Sequence, residues 1–188
     1  MTLVLKNTED TRNVQDKYKG WLTELIREDV QRKKYPFSVL MQQLEHDFNI
    51  GSVIRNADIF GAKEVFYYGD RKRFDNRGCV GSNHYSHITH LKTVEQLEIL
   101  RENTLFVALE TSPSAIDIRD FKWPLNCTML IGEENGGLTP SLLEMADYVV
   151  KIPLYGAVRS LNAACASAVA MYSYIEQHGR LYGSVSNS

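Results

Sequence analysis

The 188-residue chain predicts an α/β fold: a mostly parallel sheet flanked by helices. Three observations carry this. From residue 36 onward, short β-rich runs alternate with segments of helical period. Connections that alternate in this way build parallel sheets through right-handed crossovers. Glycine-rich polar stretches follow directly after strands, where open parallel sheets hold their ligands.

The elements are taken in chain order. Residues 1–35 are polar and charged, but Trp21, Leu22, Leu25, Ile26 and Val30 recur at helical spacing. This predicts an amphipathic helical arm, with Gly20 weakening its continuity. "FSVLMQQL" reads as the first strand. "NIGSVIRNADIFGA" places Ile50, Val53, Ile54, Ala57 and Phe60 on one helical face, with Asn49 at the N-cap and Gly61 past the end. "EVFYYG" and "SHITHL" are strands, "TVEQLEILREN" a helix, and "TLFVALE" a strand. "SAIDIRDF" reads as a short turn or helix. "CTMLIG" is a buried strand, "TPSLLEMA" a short helix with Thr139 as cap and Pro140 in its first turn, and "YVVKIPL" the last strand. Asn162 to Gln177 form the final helix. The Gly/Ser-rich residues 179–188 are expected to fray. Residues 36–178 therefore read as one domain.

Hydrophobic content of 44% and charged content of 23% suit a soluble globular protein. No apolar run is long enough to cross a bilayer, and the N-terminus does not read as a signal peptide. Cys79, Cys127 and Cys165 lie far apart, without metal-ligand spacing, as expected of reduced thiols in a cytoplasmic protein. The five His form no metal set. A net charge of −2 argues against a surface coated for nucleic acid, yet Arg71, Lys72, Arg73, Arg77 and Lys92 cluster with three His and only one acid, Asp75. Phe74, Asn83 and Tyr85 are interleaved. Clustered cations hold phosphate and aromatics stack on unpaired bases, although a solvated loop with chance charge has the same composition.

Three polar clusters follow strands. The first, "HDFNIGSVIRNAD", carries Asn49 and Arg55, with Gly51 permitting close approach to the first helical turn; a cap and a surface Arg explain the pair equally well. The second, "LIGEENGGLTP", lacks the Lys-Ser/Thr of a phosphate loop, and Glu133 and Glu134 repel phosphate. It favours a ligand with hydroxyls, amides or a positive centre, or is simply a tight turn. The third holds Gly156, Arg159, Ser160 and Asn162 before a helix of Ala, Ser, Cys and Val, and Ser160 or Asn162 as a helix cap explains it equally well. A dinucleotide fingerprint, a nucleophile elbow and a zinc-protease motif are all missing from the sequence.

Together "NIGSVIRNADIFGAKEVFYYG" and "LIGEENGGLTPSLLEMADYVVKIPLYGAVRSLNAACASAVAMY" resemble, in order, the three signature motifs of the SpoU/TrmH family of the SPOUT superfamily. These are RNA ribose 2′-O-methyltransferases. The resemblance runs from about Phe37 to Tyr174. It implies a C-terminal part threaded into a deep trefoil knot, S-adenosylmethionine as cofactor, RNA (tRNA or rRNA) as substrate, and a homodimer that completes the site, with no membrane or metal partner. Asn49 and Arg55 fall on the first motif, Glu134 on the second, Ser160 and Asn162 on the third, and these five are the catalytic candidates. Cofactor contacts fall on Ala108, Leu109, Glu110, Thr111, Ile131, Gly132, Ile152 and Leu154, and on Ser160, Leu161 and Asn162.

The chain departs from the pattern at "SLNAACAS" and at Asn135, where the family more often has Gly; Asn tolerates the left-handed turn better than most residues. Arg55, Arg71, Lys72, Arg73 and Arg77 are the candidate RNA contacts. The family's Arg is often described as a general base, but a guanidinium hardly ever deprotonates, which favours positioning by Arg55. The short arm, in place of a large N-terminal RNA-binding domain, favours tRNA over rRNA. The alternatives are a non-catalytic RNA-binding or assembly module that keeps the fold, and methylation of a base.

Overall fold

The structure is a computed structural model that describes residues 10–44, 46–70 and 75–179. Seven strands form one sheet: β1 (Tyr35–Gln42), β2 (Ala62–Tyr68), β3 (Ile88–Leu91), β4 (Leu105–Leu109), β5 (Ile116–Asp117), β6 (Cys127–Ile131) and β7 (Tyr148–Lys151). Every pairing is parallel, in the order β3-β2-β1-β6-β4-β7-β5. Among the described residues, five α-helices accompany it: α1 (Thr23–Gln31), α2 (Asp47–Ile59), α3 (Val94–Arg101), α4 (Pro140–Glu144) and α5 (Ala163–His178).

The central strands are apolar on both faces because both faces are covered. Phe37, Val39 and Met41 of β1 share one core with Ile50, Val53 and Ile54 of α2 and with Ala170, Met171 and Tyr174 of α5. Leu40, pointing the other way, joins Phe66, Leu97 of α3 and Leu142 of α4. The alternation along β1 thus sorts side chains between two helical layers. Pro36 has no N–H to give a ladder, and the β1–β2 register is broken between Tyr35 and Ser38.

Several local expectations hold. Gly61 takes φ +70° just past α2, and Pro140 opens α4 with Thr139 before it. Gly20, at φ +78°, divides the arm into a 3₁₀ turn (Asp16–Tyr18) and α1. Two expectations need correction. "SAIDIRDF", read as a short turn or helix, is turn at both ends with no helix, and between the turns Ile116 and Asp117 pair with Val150 and Lys151 as the edge strand β5, a pairing too short to show a periodicity. The strand "YVVKIPL" ends at Lys151, because Pro153 cannot donate to a ladder. The tail beyond residue 179 lies outside the described residues.

The arm packs on the body through Tyr18, Ile26 and Tyr85. Arg27 Nε donates to the His84 carbonyl at 2.7 Å and Gln31 Nε2 to the Tyr85 carbonyl at 3.0 Å. Tyr85 is buried in this contact, so it is not a free platform for a base. Among the described residues, no helix is long and apolar enough to cross a membrane, and no His/Cys/Asp/Glu cluster is arranged to hold a metal.

Candidate active site

Three strands end at one level. Leu109 of β4 pairs with Ile131 of β6 and with Val150 of β7, and all three line a cavity of about 400 Å³ beyond the carboxyl edge of the sheet. Its floor is therefore apolar, and its walls come from the loops that leave these strands. Glu110 and Thr111 follow β4; Gly132, Glu133, Glu134 and Asn135 follow β6; Ile152, Leu154, Arg159, Ser160 and Leu161 follow β7.

The loop after β6 folds back on itself. Glu133 and Gly137 exchange backbone hydrogen bonds of 3.1 and 3.0 Å, and Gly137 takes φ +70°. A Cβ on Gly132 would lie inside the backbone of Gly137 and Leu138, so the crossing requires glycine. Glu110 secures it: Oε1 accepts from the Thr111 N–H at 2.9 Å and Oε2 from the Leu138 N–H at 3.2 Å.

The three polar clusters meet in one hydrogen-bonded chain. Asn162 Oδ1 accepts from the Ala164 and Cys165 N–H groups at 2.9 and 3.3 Å and caps α5. Its Nδ2 donates to Asn49 Oδ1 at 2.9 Å. Asn49 Nδ2 in turn donates to Glu134 Oε1. Asn49 is buried, and this corrects its sequence assignment: α2 begins at Asp47 with His46 in the cap position, so Asn49 lies inside the first turn. Its amide is used between loops rather than on its own helix. One turn pair further on, Asn56 Nδ2 donates to the Ala164 carbonyl at 2.9 Å and to Ser167 Oγ at 3.3 Å. The small residues of α5 admit α2 this closely.

Other candidate residues fall elsewhere. Ala108 is fully buried in the core and is not among the residues lining the cavity. Asn162 and Asn49 are likewise not among the residues lining it, and reach it only through their hydrogen-bonded partner Glu134. Arg55 does not line it. Six residues of helix turn about 600°, which places Arg55 roughly 120° around α2 from Asn49; it is exposed and lines a second cavity. Arg77 is exposed and pairs with Asp75 at 2.5 Å, while Arg71, Lys72, Arg73 and Phe74 lie outside the described residues. Gly51 is crowded by the chain itself: a Cβ there would meet Gly78 Cα at 2.6 Å. Gly156 has an ordinary φ and nothing within 4 Å of a Cβ, so within one chain nothing requires glycine there. Sequence reasoning missed Val150, Ala163 and Ala166 as lining residues. Only the strand register and the course of α5 bring these apolar positions to the site.

The residues present fit a cofactor of mixed character. Leu109, Ile131, Ile152 and Leu154 offer apolar surface, and three carboxylates favour a positive centre over phosphate.

The SpoU rRNA Methylase family model matches residues 36–172. The tRNA (guanosine(18)-2′-O)-methyltransferase of Escherichia coli strain K12 is 31% identical over 151 residues, covering 78% of this chain and 66% of that protein, so the chain spans just under two thirds of that relative's length. The A. aeolicus TrmH/SpoU tRNA modifying enzyme superposes with a TM-score of 0.75 at 22% identity, covering 85% of this chain and 83% of that one, which is a likeness of fold. The SpoU methyltransferase AviRb of Streptomyces viridochromogenes, crystallised with the cofactor AdoMet, gives a TM-score of 0.71 at 28% identity, covering 78% of this chain and 60% of that one. With its three motif loops joined at one cavity and a family match across most of its length, the chain belongs to the SpoU methylase family.

Proposed function

We propose that this protein transfers a methyl group from S-adenosylmethionine to a ribose 2′-hydroxyl of RNA, tRNA before rRNA. The observation that carries this reading is the Asn162–Asn49–Glu134 chain, which meets a carboxylate-lined cavity at Glu134, within a match to the family model. When bound, the cofactor supplies an electrophilic methyl on a cationic sulfur. Glu133 and Glu134 favour that positive charge, and the apolar ends of β4, β6 and β7 exclude water from it. Asn49, Asn162 and Ser160 hold the loops and the acceptor in line, which supplies much of the rate. The hydroxyl proton leaves to water or to a carboxylate.

Arg55 orients the hydroxyl or its neighbouring phosphate, since a guanidinium keeps its proton. Because Arg55 faces away from this cavity on its own chain, it serves the site of a second copy. This supports a homodimer, with Val169 and Tyr172 on the exposed face of α5, and Leu161 in the loop before it, as its apolar surface. The family resemblance supports a trefoil knot threaded through the loop after β6, a catalytic domain over 36–178 and an N-terminal arm over 1–35. The buried thiols Cys79 and Cys127 suit a reducing cytoplasm.

The test is incubation with methyl-labelled S-adenosylmethionine and total tRNA or rRNA, followed by nucleoside mass spectrometry. A 2′-O-methylnucleoside is expected; a methylated base, or no label in either RNA, refutes the reading. Arg55→Lys keeps the charge and loses the fork, so near-normal turnover in that variant removes the positioning role. A second reading, a non-catalytic RNA-binding module, is favoured by the absence of Arg55 from the cavity of its own chain. It predicts no heat on titration with S-adenosylmethionine.

A further inference from the structure

A second cavity, of about 640 Å³, opens between the arm and the body. Residues 13–35 form one wall, and the far end of α2 with residues 79–85 forms the other. Its charge differs from that of the molecule. Net charge is −2 overall, yet Lys17, Lys33, Lys34 and Arg55 line this space, with Asp58 as the acid among the described lining residues. Asp58 is engaged by Lys34 at 3.4 Å, and Lys33 by Asp29 at 2.5 Å. Lys17 lies 5.1 Å above the Tyr18 ring, and Arg55 forms no ion pair among the described residues. Among the described residues, these two cations thus have no carboxylate partner.

The interior carries the rings of Tyr18, Tyr35, Phe60 and Tyr85. Val80, also on the wall, holds the left-handed conformation (φ 49°, ψ 37°) that a β-branched residue avoids, and its side chain remains 45% exposed. The turn is held there from both sides: Gly78 abuts Gly51, and Ser82 Oγ donates to the Cys79 carbonyl at 2.8 Å. Strain that the surroundings maintain in this way is characteristic of ligand clamps.

From this arrangement we propose that the arm and body form a nucleotide-binding cleft, which takes one RNA nucleotide next to the one that is methylated. Lys17 and Arg55 hold its phosphate, and the half-buried rings of Tyr35 and Phe60, rather than the buried Tyr18 and Tyr85, meet its base. The volume lies within the range of small-molecule sites. Arg55, on the wall of the cleft, connects it to the reaction. The inference rests on the proposed RNA substrate and gives the arm a role: it supplies half of the cleft.

The test uses the full chain, with nucleoside 5′-monophosphates as probes in methyl NMR and bulk tRNA in filter binding. Monophosphates are expected to shift the methyl signals of Val14, Ile26, Val80 and Ile175. Lys17→Glu is expected to weaken tRNA binding at least tenfold, Lys17→Arg to restore it, and neither to alter S-adenosylmethionine titration or the melting temperature. If tRNA is methylated but Lys17→Glu binds it like wild type and the methyls do not move, the cleft is refuted while the proposed function stands. Methyl signals that move with protein concentration instead of nucleotide assign the cavity to a second copy and refute the cleft. Failure of wild type to bind any RNA overturns both.

Discussion

Asn162 donates from Nδ2 to Asn49 Oδ1 at 2.9 Å, while its own Oδ1 caps α5. One side chain thus ends the third motif loop, starts the last helix and orients the buried amide of the first motif, which continues to Glu134 of the second. Asn162→Ala removes a cap, at about 1 kcal/mol, and leaves a buried amide short of a partner, at about 1–3 kcal/mol. Urea unfolding is expected to show a loss of about 2–4 kcal/mol from these two terms together. In a double-mutant cycle with Asn49→Ala the coupling is expected to be at least about 0.5 kcal/mol, the range for residues in one network. Additive losses would mean that the two amides do not act together.

The two glycines around the site are predicted to behave oppositely. Gly51→Ala drives a methyl into the Gly78 backbone, which neither α2 nor the following turn yields easily, and should cost about 1–3 kcal/mol. Gly156→Ala meets nothing within 4 Å and should leave stability within about 0.5 kcal/mol of wild type. Thermal melts of the two variants side by side check this.

The small residues of α5 are likewise unequal. Ala164 is buried and its carbonyl receives Asn56 from α2, so Ala164→Leu should cost about 1–3 kcal/mol or more in the fold itself. Ala168 is half-buried, and Ala168→Leu should cost less in the monomer. Sedimentation and urea curves separate the effects: a stable and fully dimeric Ala164→Leu variant refutes the close α2–α5 packing.

The three thiols should differ in reactivity. Burial pushes Cys79 up to about 11 and Cys127 up to about 12, so both remain protonated and shielded at neutral pH. Cys165 is exposed on α5 beside the proposed dimer face. A maleimide should label one site in native dilute protein, more slowly as concentration rises, and three sites in denaturant.

Asp117 anchors an acid-sensitive clasp. Hydrogen bonds from Arg119 hold its carboxyl down at about 2, and Arg119 Nη1 donates to Tyr155 Oη at 2.9 Å, tying β5 to the loop that closes the cavity. A depressed folded-state value stabilises above the unfolded value near 4, and this contribution is lost as pH falls toward 2. The stability gap between wild type and Asp117→Asn should therefore be nearly full at pH 5, shrink as pH falls toward 2 and vanish only below it. A gap that stays constant across that window would exclude the linkage.

The sequence alone was sufficient for the alternation of strands and helices, the left-handed Gly61 and the three loops that carry the site. Each is a local matter: period, cap chemistry and turn conformation depend on neighbours within a few residues. The motif order likewise announced the family. Tertiary structure decided what distance along the chain conceals. Asn49 read as a cap and proved to be a link between loops, because its partners lie 85 and 113 residues away. Gly51 was open to a ligand by sequence and is filled by Gly78. Val150 and Ala166 joined the cavity through strand register and helix path, which no residue type announces. Arg55 was separated from Asn49 by the pitch of one helix, so two residues of one motif face different sides of α2. Side-chain identity determines which contacts are chemically possible, and only the packing of elements distant in sequence determines which of them form.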